Sequence, residues 1–391
     1  MSYFWMISGI LLAIIWLDRL RDAFTGRHID DLAEAEWDPA PGGLATLSIV
    51  VAARNEGAHV RAALCSLLEI DYPGLEVIAI DDRSTDDTGT VMDGLAAQHS
   101  LRPGAKPLCA ILHVRSLPPG WLGKPHAMWL GARQAKGDWL LFTDADVRFR
   151  RDALRRAVAY AEGRKIDHLV VVPTHELRSP AERLMLATFS MLFLFGHRPW
   201  KVGDPKARDF LGFGPFNLIR RSVYERIGGA EKLRMEIIED MKLGKLVKEH
   251  GFRQCLAYGT GLLPWRWFHG GLDITRVLRK NLFASMNYRY GKAAGACLAI
   301  LLLAVLPYTG VVFAQGWAKA GHAIAVATIL GLFIGMSRRW PISPIYFVLY
   351  PVGTLVLAYA MACSIAHVIR HGGVVWRGTL YPLDELRKGL V

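Results

Sequence analysis

The sequence predicts an α/β domain, a mostly parallel sheet flanked by helices, with apolar helices before and after it along the chain. Three observations carry that prediction. From Ala45 to about Asp146, short apolar runs alternate with amphipathic ones. The short runs are apolar at nearly every position, as strands are when helices cover both faces of their sheet. Long stretches almost free of charge lie at residues 3–17 and beyond Lys292, and such stretches can cross a bilayer.

Tyr3 to Leu17 is followed by Arg19, Arg21 and Arg27, with no Lys or Arg before it. A secretory leader carries its basic residues ahead of the apolar stretch. Residues 1–20 therefore read as a transmembrane anchor, and the positive-inside rule puts the domain beyond it in the cytosol. Residues 21–44, acidic and then rich in Pro and Gly ("EWDPAPGG"), read as a linker.

Residues 45–290 hold the alternating part. "LSIVVAA", "LEVIAI", "LCAILHV" and "DWLLFT" are expected strands, and "GAHVRAALCSLLEI", "DDTGTVMDGLAAQ" and "KPHAMWLGARQA" the helices between them. Leu184 to Phe195 is apolar nearly all round but too short to span, so it is either a buried helix or one lying in a membrane interface.

Residues 293–368 contain three apolar segments, Ala293 to Ala314, Ala320 to Met336 and Ser343 to Val368. Counted literally they give three spans and an external tail. The basic residues of the tail, 369–391, argue for an internal one (Arg370, Arg377, Arg387, Lys388). Pro351 and Gly353 make a re-entrant or broken last helix an open alternative.

The 391 residues carry a formal charge of +12. That excess suits an anionic membrane surface or a phosphorylated ligand. No nucleic-acid-binding motif accompanies it, so nucleic acid is not an expected partner. The five cysteines (Cys65, Cys109, Cys255, Cys297, Cys363) are scattered without a C-x-x-C pair, which fits reduced thiols in a cytosol-facing protein.

In parallel sheets ligands bind beyond the carboxyl ends of the strands. Arg54, Asn55 and Glu56 follow the first strand, Asp81 and Asp82 the second, Asp144 and Asp146 the fourth. Helix capping is the plain alternative for the last pair, but Asp152 directly precedes the next helix and is the better cap. Two close carboxylates repel unless a cation sits between them. Hard oxygen ligands suit Mg²⁺ or Mn²⁺, which keep waters and bind substrate phosphates. No P-loop and no G-x-G-x-x-G is present.

Five stretches carry a family resemblance: "SIVVAARNE", "VIAIDDRSTDDT", "GWLGKPHAMWLGARQAKGDWLLFTDADV", "FLGFGPFNLIRRSVYERIGG" and "EIIEDMKLGKLVKEHGF". In that order they resemble a family 2 glycosyltransferase with a GT-A fold. The likeness is greatest to membrane-anchored bacterial members of the hopanoid-associated, carotenoid and ceramide type.

The resemblance implies a nucleotide-sugar donor, with UDP expected, and a lipid or lipid-linked acceptor. The enzyme would sit in the cell (inner) membrane, multi-pass, with its catalytic domain in the cytosol. Ala52, Arg54 and Glu56 would wall the nucleotide pocket and Asp82 would accept from uracil. Lys124 would reach the nucleotide or its phosphates. Asp144 would touch ribose or metal, and Asp146 would hold the Mg²⁺ or Mn²⁺. Asp240 would be the general base of one inverting displacement. Glu239, Arg279 and Lys280 are candidate contacts to diphosphate or acceptor. For Glu239 and Asp240 the plain alternative is first-turn acids favourable to a helix dipole. Processive members carry Q-x-x-R-W after this helix, whereas this chain reads "WRWFHGGLDITRVLRKNLFAS". A polysaccharide synthase is therefore the second reading, and a non-catalytic nucleotide-sugar-binding protein the third.

Overall fold

The computed structural model describes residues 2–26, 28–38, 45–100 and 108–391. Of the expected linker, residues 21–44, residues 27 and 39–44 lie outside the described residues, while 21–25 continue the first helix, Ser2–Thr25. The chain forms two compact units. One comprises His28–Glu176, Pro199–Trp265 and Trp376–Val391, the other Met1–Arg27, Leu177–Arg198 and Arg266–Val375. The expected catalytic stretch 45–290 is thus divided between them, and most of the expected tail belongs to the unit that holds the sheet.

The sheet has seven strands: β1 (Leu47–Ala53), β2 (Leu75–Asp82), β3 (Leu108–Val114), β4 (Trp139–Asp144), β5 (His168–Val172), β6 (Asn217–Arg220) and β7 (Gln254–Tyr258). Their order is β3-β2-β1-β4-β6-β5-β7. Only β6 runs antiparallel, against both β4 and β5. The strands are buried because helices cover them. Val50, Ile78, Ile80, Leu140 and Phe142 share one apolar core with Ala127 and Met128 of helix Gly123–Gln134 and with Leu243 and Val247 of helix Glu239–Glu249.

Register places the chemistry. Ala53 is level with Asp81 across β1 and β2, and Ala52 with Asp144 across β1 and β4. The polar residues that end these three strands therefore share one edge, as expected. Asp152 departs from expectation. It occupies the position before helix Ala153–Gly163 but makes no side-chain cap. Its carboxylate instead accepts from Arg150 and Arg156, each at 2.6 Å, because charged donors outbid a backbone amide.

In the other unit, Tyr3–Thr25, Trp317–Ser337 and Pro344–His371 are long and apolar enough to cross a membrane. Trp317–Ser337 lies alongside the first helix and parallel to it. The His322 ring meets the Trp5 carbonyl at 3.2 Å, and Gly331 lies beside Leu20.

The segment expected to be one span, 293–314, is two helices, Tyr290–Ala304 and Leu306–Phe313, bent by 41°. Pro307 has no N–H to give the Leu303 carbonyl. That oxygen accepts instead from the Trp16 indole at 3.0 Å. Pro351, by contrast, breaks nothing. It sits in the first turn of helix Tyr350–His371, where a missing N–H is no loss. Leu184–Phe195 lies within helix Pro180–Gly196. Ser179 and Glu182 start that helix with a capping box, and it packs on Tyr350–His371 with Gly353 against Thr188.

Candidate active site

β1 ends in a turn with Asn55 at φ 53°, and β2 in one with Arg83 at φ 56°. Side chains lace the two turns together. The Glu56 amide donates to Thr88 Oγ1 at 2.8 Å, and the Thr85 amide to Asn55 Oδ1 at 2.8 Å. Asp82 is buried. Its two oxygens accept from Arg83 at 2.7 and 3.0 Å, with Arg54 3.9 Å away. Each oxygen keeps a further lone pair, so an incoming N–H has an acceptor. A Cβ at Gly123 would come within 2.1 Å of Asp82 Oδ2, so only glycine lets the helix that carries Lys124 start this close.

Lys124 holds the centre. Its ammonium lies 2.6 Å from Asp144 Oδ1 and 2.7 Å from Glu239 Oε1. Burial would lower its pKa, but the carboxylates of Asp144, Glu239 and Asp240 outweigh burial and hold it well above the ordinary value. Glu239 and Asp240 open helix Glu239–Glu249, where Asp240 Oδ1 accepts the Met241 amide at 2.8 Å. Burial, then the charge of Glu239, pushes the Asp240 carboxyl up to about 6 against the pull of Lys124. A pocket lined by Ala52, Lys124, Gly214, Asn217, Glu239 and Asp240 opens here.

Asp146 lies just past β4. The Trp265 indole donates to its Oδ1 at 3.3 Å. Burial, then the charges of Asp144 and Glu56, raises it to about 7. Two carboxylates that repel each other in a partly desolvated place fit a divalent cation, which would relieve both effects. Among the described residues no third His, Cys, Asp or Glu completes a protein-only cage. The fit is therefore to an ion that takes its remaining oxygens from phosphate and water, the usual habit of Mg²⁺.

Three buried side chains missed at the sequence level hold the loop between Leu211 and Asn217. Gln254 accepts the Leu211 amide at 2.9 Å and donates to His168 Nδ1 at 2.7 Å. The far nitrogen of His168 lies 3.1 Å from Asn217 Oδ1, and Asn217 Nδ2 donates to the Phe213 carbonyl at 3.0 Å. The loop needs its glycines. A Cβ at Gly212 would fall 1.6 Å from the Asp240 carbonyl oxygen, and one at Gly214 2.5 Å from Asp144 Oδ2. Single polar residues far apart in sequence gave no signal for this network.

Ala52, Arg54, Glu56, Asp82, Lys124, Asp144, Asp146, Glu239 and Asp240 thus all lie in the sheet unit. Arg279 and Lys280 belong to the other unit. There the Arg279 carbonyl accepts from Ser364 at 2.5 Å, and Lys280 donates to Asn281 at 2.9 Å.

Residues 48–228, which span β1 to β6 and carry Asp82, Lys124, Asp144 and Asp146, match the family described as glycosyl transferase family 2. They form a family 2 glycosyltransferase domain. The glycosyltransferase is 23% identical over 346 residues to the 4,4'-diaponeurosporenoate glycosyltransferase of Staphylococcus aureus (strain USA300), covering 87% of this chain and 89% of that one. To the protein of the same name from Staphylococcus haemolyticus (strain JCSC1435) it is 27% identical over 230 residues, 58% of each chain. Among solved structures it resembles a mannosyltransferase from Pyrobaculum calidifontis in complex with GDP-Man and Mn²⁺. The TM-score is 0.53 at 17% identity, over 93% of this chain and 97% of that one. The likeness there is one of fold, and the fold is GT-A.

Proposed function

We propose that this glycosyltransferase moves a sugar from a nucleotide sugar, UDP-linked on the family resemblance, to a hydroxyl of a lipid or lipid-linked acceptor, with inversion. One observation carries the reading. A carboxylate raised into the range of a general base, Asp240, shares a pocket with Lys124 and the strand end of Asp144. Asp240 takes the acceptor's proton while that oxygen attacks the anomeric carbon. The bond from that carbon to the diphosphate breaks, and its electron pair leaves with the diphosphate. Asp144 and Asp146 would hold a Mg²⁺ or Mn²⁺ ion whose charge offsets that of the leaving group. Lys124 adds positive charge on the same side, and Asp82 with Arg54 receives the base.

A lipid acceptor is supported by the name of the staphylococcal relative and by the apolar helices that flank the domain in sequence. We further propose a multi-pass protein with its catalytic domain in the cytosol.

The test is release of nucleoside diphosphate from UDP- and GDP-sugars by the full chain in detergent. It compares wild type with Asp240→Asn, with Mn²⁺ or Mg²⁺, and with and without lipid extract. Metal-dependent turnover that rises with lipid and collapses in Asp240→Asn is expected. Turnover indifferent to the substitution would overturn the assignment of the base.

A further inference from the structure

The residues that follow the last long helix return to the polar edge of the sheet. Within the sheet unit, Trp376–Val391 touches three walls of the site. Arg377 pairs with Glu56, and a second guanidinium nitrogen lies 3.4 Å from the Asn55 carbonyl. Tyr381 is buried. Its hydroxyl accepts the Gly123 amide at 3.3 Å and is hydrogen-bonded to Arg83. Farther on, Leu386 is fully buried and the Val391 amide donates to Glu236 at 2.5 Å, four residues before Asp240.

Two features single out Arg377. It has φ 50° ahead of Gly378 at φ 78°, a tight-turn position that Asn, Asp or Gly fills more readily. The turn does not explain the arginine. Its partner does not explain it either, since the Arg377 side chain is 44% exposed and ion pairs at such a surface contribute little. Meanwhile Arg54, Arg83 and Arg377 gather near one another, beside Asp82 and Glu56. A half-exposed guanidinium fork beside two further arginines is suited to receive phosphate oxygens.

We propose that Arg377 is a donor-binding residue. On entry of the nucleotide sugar its guanidinium leaves Glu56 for the diphosphate, while Tyr381 and the buried end of the segment keep it seated. The inference rests on the donor reading above and adds a ligand from outside the matched domain.

The full chain in detergent with Mn²⁺ is titrated with UDP, GDP, UMP and GMP. Arg377→Ala is expected to weaken diphosphate binding about tenfold and leave monophosphate binding unchanged, with Arg377→Lys intermediate. Equal diphosphate binding by wild type and Arg377→Ala overturns the proposal and leaves the donor reading standing. Equal weakening of mono- and diphosphates overturns it too, because a mere pin on the turn would act that way. Wild type that binds no nucleotide overturns both. Hydrogen exchange on the wild type needs no variant. Residues 376–382 should slow with the diphosphate and not with the monophosphate, and unchanged exchange also overturns the proposal.

Discussion

Asp240 makes the clearest prediction at the scale of the residue. A base works deprotonated, and its carboxyl is raised to about 6. The rate should therefore fall as pH drops below about 6 and level off above it. Asp240→Asn should cost about 10²–10⁴-fold in kcat and abolish that acid limb, read from pH–rate profiles of the two proteins. Lys124 gives a second prediction. Glu239 is buried, with Lys124 as an ionic partner at 2.7 Å. Lys124→Met would strand that carboxylate and should cost about 3–5 kcal/mol by denaturant unfolding. Adding Glu239→Gln should return much of it, because the stranded charge is gone.

At the scale of the element, the loop from Leu211 to Asn217 matters more than its length suggests. Gly212→Ala would drive a Cβ into the backbone of Asp240, so the first turn of helix Glu239–Glu249 must move. A shift of that kind should lower kcat about 100-fold, with thermal unfolding to show that the protein remains folded. His168 anchors the loop from beneath. It is fully buried and burial depresses it to about 4, against about 6.5 when unfolded. Between those values the unfolded chain binds the extra proton. Stability is thus full above pH 6.5 and is lost as pH falls toward 4, by about 3 kcal/mol. His168→Gln should flatten that part of the curve in urea titrations run from pH 7 to 4.

The same elements show what could be read from sequence. β1, β2 and β4 were legible because each is a local apolar run, and their carboxyl ends announced Asp82, Asp144 and Asp146. β6 was not. It is a four-residue strand after a Gly/Pro loop, and it owes its place to antiparallel pairing on both sides. Arg377 was read only as part of a basic tail, since a pair 321 residues apart leaves no local pattern. Pro351 drew attention as a breaker, while the actual bend falls at Pro307. A proline is harmless in a first turn and disruptive inside an apolar run.

For the whole molecule, the unit that holds the sheet belongs on one side of any bilayer that the apolar helices cross. Trp376–Val391 belongs with β1–β7, so under the proposed multi-pass topology the chain between Trp265 and Trp376 would cross an even number of times. The parallel packing of Trp317–Ser337 on the first helix says which crossings those are. If Tyr3–Thr25 runs inward, so does Trp317–Ser337, and the bent pair Tyr290–Phe313 runs outward before it. Pro344–His371 would then begin and end on the inner side. Arg338 and Arg339 fall inside, as the positive-inside rule prefers. In a cysteine-free background, an impermeant thiol reagent on intact cells should label Gln315→Cys and spare Ser337→Cys and Leu380→Cys. Labelling of either of the last two would refute this topology.

The indole of Trp16 on the Leu303 carbonyl bears on how the protein is made. In hydrocarbon no water can replace that hydrogen bond, and an orphaned carbonyl costs several kcal/mol. If both helices lie in the membrane, Tyr3–Thr25, made before Tyr290–Phe313, must wait unpaired on that side until the later pair arrives to claim it. Removing Tyr3–Thr25 in search of a soluble enzyme would do more than delete an apolar helix. It would strand the bend at Pro307 during biogenesis, far from any residue that handles sugar.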